Sequence, residues 1–174
     1  QEILKSKRTL SYEFYPPKDA EGLSPLLNTI DTLKVFRPDY ISVTYGAGGS
    51  TRILTEEVVV RAKREAGLLS MAHLTCVGQT KEEIHGVLKR LESAGIENVI
   101  ALRGDPPRGE TNFAPMAGGF SHAESLIEYI SGHFNFGIAG AYYPETHSES
   151  PDLKADLDYT KRKVDAGAGF LITQ

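Results

Sequence analysis

Apolar, β-rich runs recur along the chain at Leu10–Phe14, Tyr40–Thr44, Leu69–Thr75, Asn98–Leu102, Phe136–Tyr142 and Phe170–Thr173. They begin about thirty residues apart, and each interval holds one helix-periodic stretch, the pattern of repeated βα units. The helix boundaries carry their own signals. Ser24-Pro25 predicts an N-cap followed by proline at the first helical position, with Pro38 just beyond the end. Thr80-x-x-Glu83 and Ser121-x-x-Glu124 read as capping boxes, closed by Gly95 and Gly132. Gly67 ends an earlier helix, and Asp152 and Gly167 bound the last one. The fourth run, Asn98–Leu102, is continuously apolar after its first residue, as a strand buried on both faces is.

Strands joined by helices through right-handed crossovers give a parallel sheet, either doubly wound or closing into a barrel. Gly46-Ala47-Gly48-Gly49-Ser50 follows the second strand but lacks the G-x-G-x-x-G spacing of a dinucleotide-binding turn. An eightfold barrel takes about 250 residues. The 174 residues here match its pitch with about six units. The predicted fold class is therefore α/β, an incomplete (β/α)8 TIM barrel, as a single domain over residues 1–174.

In such folds ligands sit at the C-terminal ends of the strands, and that is where this chain places its polar groups. The fourth run ends in Arg103-Gly104-Asp105-Pro106-Pro107, delivering a cation, a carboxylate and a flexible backbone together. The first ends at Glu13 between aromatics, an apolar setting that would raise a carboxyl pKa and suit a general acid, although pairing with a core Arg or Lys is the plainer alternative. The second offers Thr44 and Tyr45. The third carries His73, whose lone position on a strand fits a satisfied core residue better than a metal ligand; no metal is predicted. The fifth ends in Tyr142-Tyr143-Pro144-Glu145-Thr146-His147. Asp156 and Lys163 then share one helix face, with Arg162 adjacent, as a phosphate-holding pair or simply a solvated surface. The sixth ends at Gln174, whose amide can both donate and accept along a heterocycle edge.

Composition narrows the function classes. The charge is −4, with 19 Lys and Arg against 23 Asp and Glu interleaved along the chain, so no nucleic-acid footprint appears. No apolar stretch approaches the roughly 20 residues of a membrane span, and no secretory leader opens the chain. Cys76 is the single cysteine, which fits a reducing, cytoplasmic setting and a core role more than a catalytic thiol. The absence of an initiator Met implies that Gln1 is not the native start.

Six segments then stand in one order: Tyr12-Glu13-Phe14-Tyr15-Pro16-Pro17, Val43-Thr44-Tyr45-Gly46-Ala47, Ala72-His73-Leu74-Thr75-Cys76, Ala101 through Pro107, Tyr143-Pro144-Glu145-x-His147, and Lys163 through Ala168 leading to Ile172-Thr173-Gln174. Together they resemble the methylenetetrahydrofolate reductase family over essentially the whole chain. The resemblance implies a barrel that binds FAD and uses NADH or NADPH to reduce methylenetetrahydrofolate to methyltetrahydrofolate, the nicotinamide leaving before the folate enters. It implies Glu13 as the general acid that opens the folate's five-membered ring. It implies Asp105 as the charge favouring the cationic intermediate, also in contact with folate and flavin. Gln174 would bind folate and Thr44 the nicotinamide. Tyr45, Ala47, His73, Arg103, Gly104, Asp105, Ala123, Tyr143, His147, Asp156, Arg162 and Lys163 would hold FAD. Glu13, Asp105 and Gln174 would converge on one isoalloxazine ring.

Family members continue past the sixth strand, so this sequence is expected to be part of a longer chain. The partners expected are folate and a nicotinamide nucleotide, with a homo-oligomer left open and no nucleic acid or membrane. Two other readings follow from the residues. A flavin-free lyase or synthase would use Arg103, Lys163 and the Gly46–Gly49 loop for phosphate. A binding or assembly module would use an exposed sheet edge.

Overall fold

A computed structural model describes residues 2–45, 49–105 and 115–174. Among the described residues, six helices alternate with six strands: α1 (Glu2–Ser6), β1 (Ser11–Phe14), α2 (Leu23–Leu33), β2 (Tyr40–Val43), α3 (Gly49–Ala66), β3 (Ser70–Thr75), α4 (Lys81–Ser93), β4 (Asn98–Leu102), α5 (Ala123–His133), β5 (Gly137–Tyr142), α6 (Leu153–Asp165) and β6 (Phe170–Thr173). The expected strands are all present, trimmed by a residue at some ends. The chain forms two compact units: one runs to Leu74 and adds Gly86–Asn98, and the other comprises Thr75–His85 and Val99–Gln174.

In the first unit β1 pairs with β2 and β2 with β3, both parallel, with Glu13 opposite Ser42 and Ser42 opposite Met71. In the second, β5 pairs in parallel with β6, Ala139 lying opposite Phe170 and Tyr142 opposite Thr173. Within each unit the strand order follows the chain order. This is the α/β class, a run of βα units of an incomplete (β/α)8 barrel.

Each unit buries its own apolar set. Ile30, Ile41, Val43, Met71, Leu74, Leu88 and Leu91 are almost fully buried in the first. Ile100, Leu126, Ile127, Ile130 and Ile138 fill the second. Burying one such side chain contributes about 1.5–3 kcal/mol, so these positions, and not the helix caps, dominate the stability of each unit.

The caps divide into expected and unexpected. Thr80 and Glu83 form the reciprocal box, Thr80 N–H donating to Glu83 at 2.8 Å and Glu83 N–H to Thr80 Oγ1 at 3.2 Å. Asp152 accepts from Ala155 N–H at 2.8 Å. Gly67, Gly95 and Gly167 all take positive φ after their helices, where a side chain would be strained. Ser24 is not an N-cap. Asp19 accepts from Gly22 N–H at 3.1 Å and starts a 3-10 turn at Ala20–Gly22, so α2 begins at Leu23 and Pro25 falls in its first turn, where no intrahelical donor is needed. Ser121 is not a cap either: α5 starts after His122 without a side-chain bond, and Glu124 is drawn away to Arg162 at 2.9 Å. Gly132 lies inside α5, which runs on to His133.

Candidate active site

In the first unit, strand alternation and register put Glu13, Ser42 and His73 on one face of the sheet while Tyr12 and Phe14 point to the other. Ser42 Oγ donates to Glu13 Oε2 at 3.3 Å, and His73 Nε2 lies 3.2 Å from the same oxygen without the alignment of a hydrogen bond. The Glu13 side chain is 46% exposed, so the apolar pocket expected from its aromatic neighbours is not its environment; those rings face away from it. His73 is buried, and desolvation lowers its pKa against the opposing pull of Glu13. The imidazole is thus held neutral near pH 7. Thr44 N–H donates to Phe14 O at 2.9 Å, and Thr44 O accepts from Thr55 Oγ1 at 2.9 Å, which ties the β2 tip down. The Tyr45 ring lies 5.7 Å from the Arg52 guanidinium. Ala47 falls outside the described residues.

The second unit holds a cleft of about 310 Å³ at the ends of β4, β5 and β6. Arg103, Gly104 and Asp105 form one wall, Tyr143 and His147 another, and Ala123, Asp156, Lys163 and Gln174 also line it. Nine of the residues expected from the sequence therefore share one cavity. Gly104 sits at φ +87°, and a Cβ there would lie 2.8 Å from Val77 Cγ1 and 3.0 Å from Thr75 Cβ, so only glycine lets the chain turn at this wall. The Tyr143 ring meets His147 edge-on at 4.7 Å, and burial is the main cause raising its phenol pKa. Asp156 is buried and accepts the His147 N–H at 3.3 Å, fixing that turn.

Lys163 lines the cleft, its Cδ passing beside β5 at Gly140. Its ammonium donates to Ala141 O at 2.8 Å, and burial lowers its pKa while Asp156 opposes the shift. Gln174 is anchored by its own N–H on Tyr142 O at 3.0 Å. Arg162, by contrast, does not line the cavity; it pairs with Glu124 and lies 4.3 Å from the Tyr159 ring centre.

Sequence reasoning missed Glu124, Tyr159 and Glu149 as cleft residues. Tyr159 was within reach, since it shares a helical face with Asp156 and Lys163. Glu124 looked like part of a cap. Glu149 lies in a short polar loop with no periodicity to mark it, yet it holds Arg103 at 2.5 and 2.7 Å through both carboxylate oxygens.

The sequence profile described as methylenetetrahydrofolate reductase matches residues 1–174. The chain belongs to the methylenetetrahydrofolate reductase family. It is 40% identical to methylenetetrahydrofolate reductase (NADH) 1 of Zea mays, covering 97% of this chain and 30% of that protein. It is 40% identical to methylenetetrahydrofolate reductase 2 of Saccharomyces cerevisiae, covering 97% and 29%. To 5,10-methylenetetrahydrofolate reductase of Escherichia coli it is 38% identical, covering 95% and 54%. The chain thus spans about half of the bacterial relative and under a third of the eukaryotic ones. Among solved structures, an enolase from Sargasso Sea environmental sequencing overlays with a TM-score of 0.50 at 15% identity, covering 95% of this chain and 44% of that one. That likeness speaks to the α/β fold alone, whereas membership of the reductase family rests on the sequence matches.

Proposed function

We propose that this chain forms six βα units of an FAD-binding barrel domain that reduces methylenetetrahydrofolate to methyltetrahydrofolate with NADH or NADPH. The observation that carries the reading is the cleft of the second unit, which sets cations, aromatic rings and a glycine-lined wall together. That donor set fits FAD: Arg103 and Lys163 suit anionic oxygens, Tyr143 suits a planar ring, and the backbone at Gly104 allows close approach. Flavin bound there supplies two-electron hydride exchange between the nicotinamide and the folate.

The chain's own residues do the rest. Arg103 and Lys163 hold the anionic part of the cofactor, with Gly104, Ala123, Tyr143, His147 and Asp156 completing its contacts in this cleft. Thr44 meets the nicotinamide, and the Gln174 amide pairs with the pterin edge. Asp105 is exposed at its strand tip, where its charge favours a cationic folate over the neutral ring. Glu13 gives a proton to the ring nitrogen that departs as the five-membered ring opens. Its neighbour His73, neutral through burial, adds no positive charge beside that acid.

The purified protein carrying this chain should show flavin absorbance; a colourless preparation that takes up no added FAD would remove the proposal and leave a flavin-free barrel. The Glu13→Gln variant separates the half-reactions. Flavin reduction by NAD(P)H should stay near the wild-type rate, while folate reduction falls by at least about a hundredfold. Equal loss in both half-reactions would make Glu13 a structural group.

A further inference from the structure

In the second unit's cleft, the Arg103–Glu149 pair stands in the way of the function just described. The Arg103 guanidinium is committed to both oxygens of Glu149, the same forked geometry by which arginine takes a phosphate. The two partners are held unequally. Arg103 follows directly on β4, and its side chain is only 23% exposed. Glu149 lies in the segment between β5 and α6, its side chain is 53% exposed, and its nearest polar tie apart from Arg103 is its own N–H on His147 Nδ1 at 3.1 Å. The other carboxylates lining the cleft have independent reasons for their places: Asp105 stands in the turn after β4, Asp156 accepts the His147 N–H, and Glu124 sits in the first turn of α5, where the helix dipole favours an anion. Glu149 has no such reason. Both bonds of its carboxylate go to the cation.

We propose that Glu149 is a displaceable internal counter-anion, occupying the Arg103 fork until the diphosphate of a dinucleotide takes its place. The inference rests on the flavin reading of this cleft and adds to it a residue that works against binding. While the site is empty, the carboxylate keeps Arg103 compensated and aimed into the cleft. A weakly charged ligand does not compete with a carboxylate tethered beside its target, because the tether gives it a high effective concentration. A diphosphate carries enough charge to displace it. Glu149 would therefore lower affinity for every anion and reject the small ones most.

Calorimetric titration of the protein carrying this chain, stripped of cofactor, tests this with ADP and with FAD. Glu149→Gln should bind both more tightly, by about fivefold, the scale of one partly exposed ion pair. Inorganic phosphate should gain at least as much. Glu124→Gln should bring no gain, and Arg103→Gln should weaken binding and abolish the gain in the double variant. Unchanged or weaker binding by Glu149→Gln overturns the proposal and makes Glu149 a brace for the loop. Glu149→Ser, compared by thermal melting, provides the same comparison should the glutamine variant fold poorly. If the wild type takes ADP but no FAD and Glu149→Gln still gains on ADP, the counter-anion stands while the flavin reading falls. FAD binding that is indifferent to Glu149 leaves the flavin reading standing and sinks the counter-anion.

Discussion

His73 shows how much a single side chain's setting matters. On sequence it was a lone strand histidine; in the fold it is buried beside Glu13, and desolvation pushes its pKa below the ordinary 6.5. Protons therefore bind the unfolded chain before they bind the folded one. Above pH 7 neither state is protonated and the residue is silent. As pH falls through 6.5 the unfolded state gains a proton the native state resists, so stability drops. Urea unfolding at pH 7.5 and pH 5.5 should show a larger loss for the wild type than for His73→Asn, and equal losses would mean the imidazole titrates freely. Glu13 teaches a different lesson. Its aromatic sequence neighbours suggested burial, yet alternation sends them to the opposite face and leaves the carboxylate among polar groups. Neighbours in sequence along a strand are not neighbours in space.

At the scale of elements, the helices separate what local chemistry decides from what it does not. The Thr80–Glu83 box was legible because both bonds close within four residues. Thr80→Ala should cost about 1 kcal/mol by chemical denaturation, and Thr80→Ser should recover most of it. No change would mean that solvent satisfies the end of α4 equally well. Ser121-x-x-Glu124 has the same letters and makes no box, because Arg162, 38 residues away, offers Glu124 a charged partner. A capping pattern predicts a competition, and a distant cation can win it. The strands were more legible still. A run of apolar residues with no polar face has little alternative to burial, and β4, buried over Val99–Ala101, falls on its expected residues, as does the half-buried β6.

For the molecule as a whole, the single cysteine is a convenient reporter. Cys76 is fully buried in the second unit and its thiol pKa is pushed up to about 12, chiefly by desolvation. At pH 8 it should react with a thiol reagent only when that unit opens. Labelling should therefore be slow in buffer and rapid in denaturing urea, and FAD or ADP in the cleft should slow it further by stabilising the closed form. Rapid labelling of the folded, ligand-bound protein would show that Cys76 is reached without opening.

The amino-acid sequence alone determined the class of fold, its βα rhythm and the identity of the strand tips that carry chemistry, because apolar periodicity and proline or glycine punctuation act over a few residues. It also carried enough ordered motifs to indicate the family. Tertiary structure decided which of those polar groups share one cavity, that Arg162 turns to Glu124 rather than lining it, and that Glu149 neutralises Arg103. Charges are the reason. They act between residues brought close by packing, at separations of 38 and 46 positions along the chain, and no local pattern announces which carboxylate a given cation will meet.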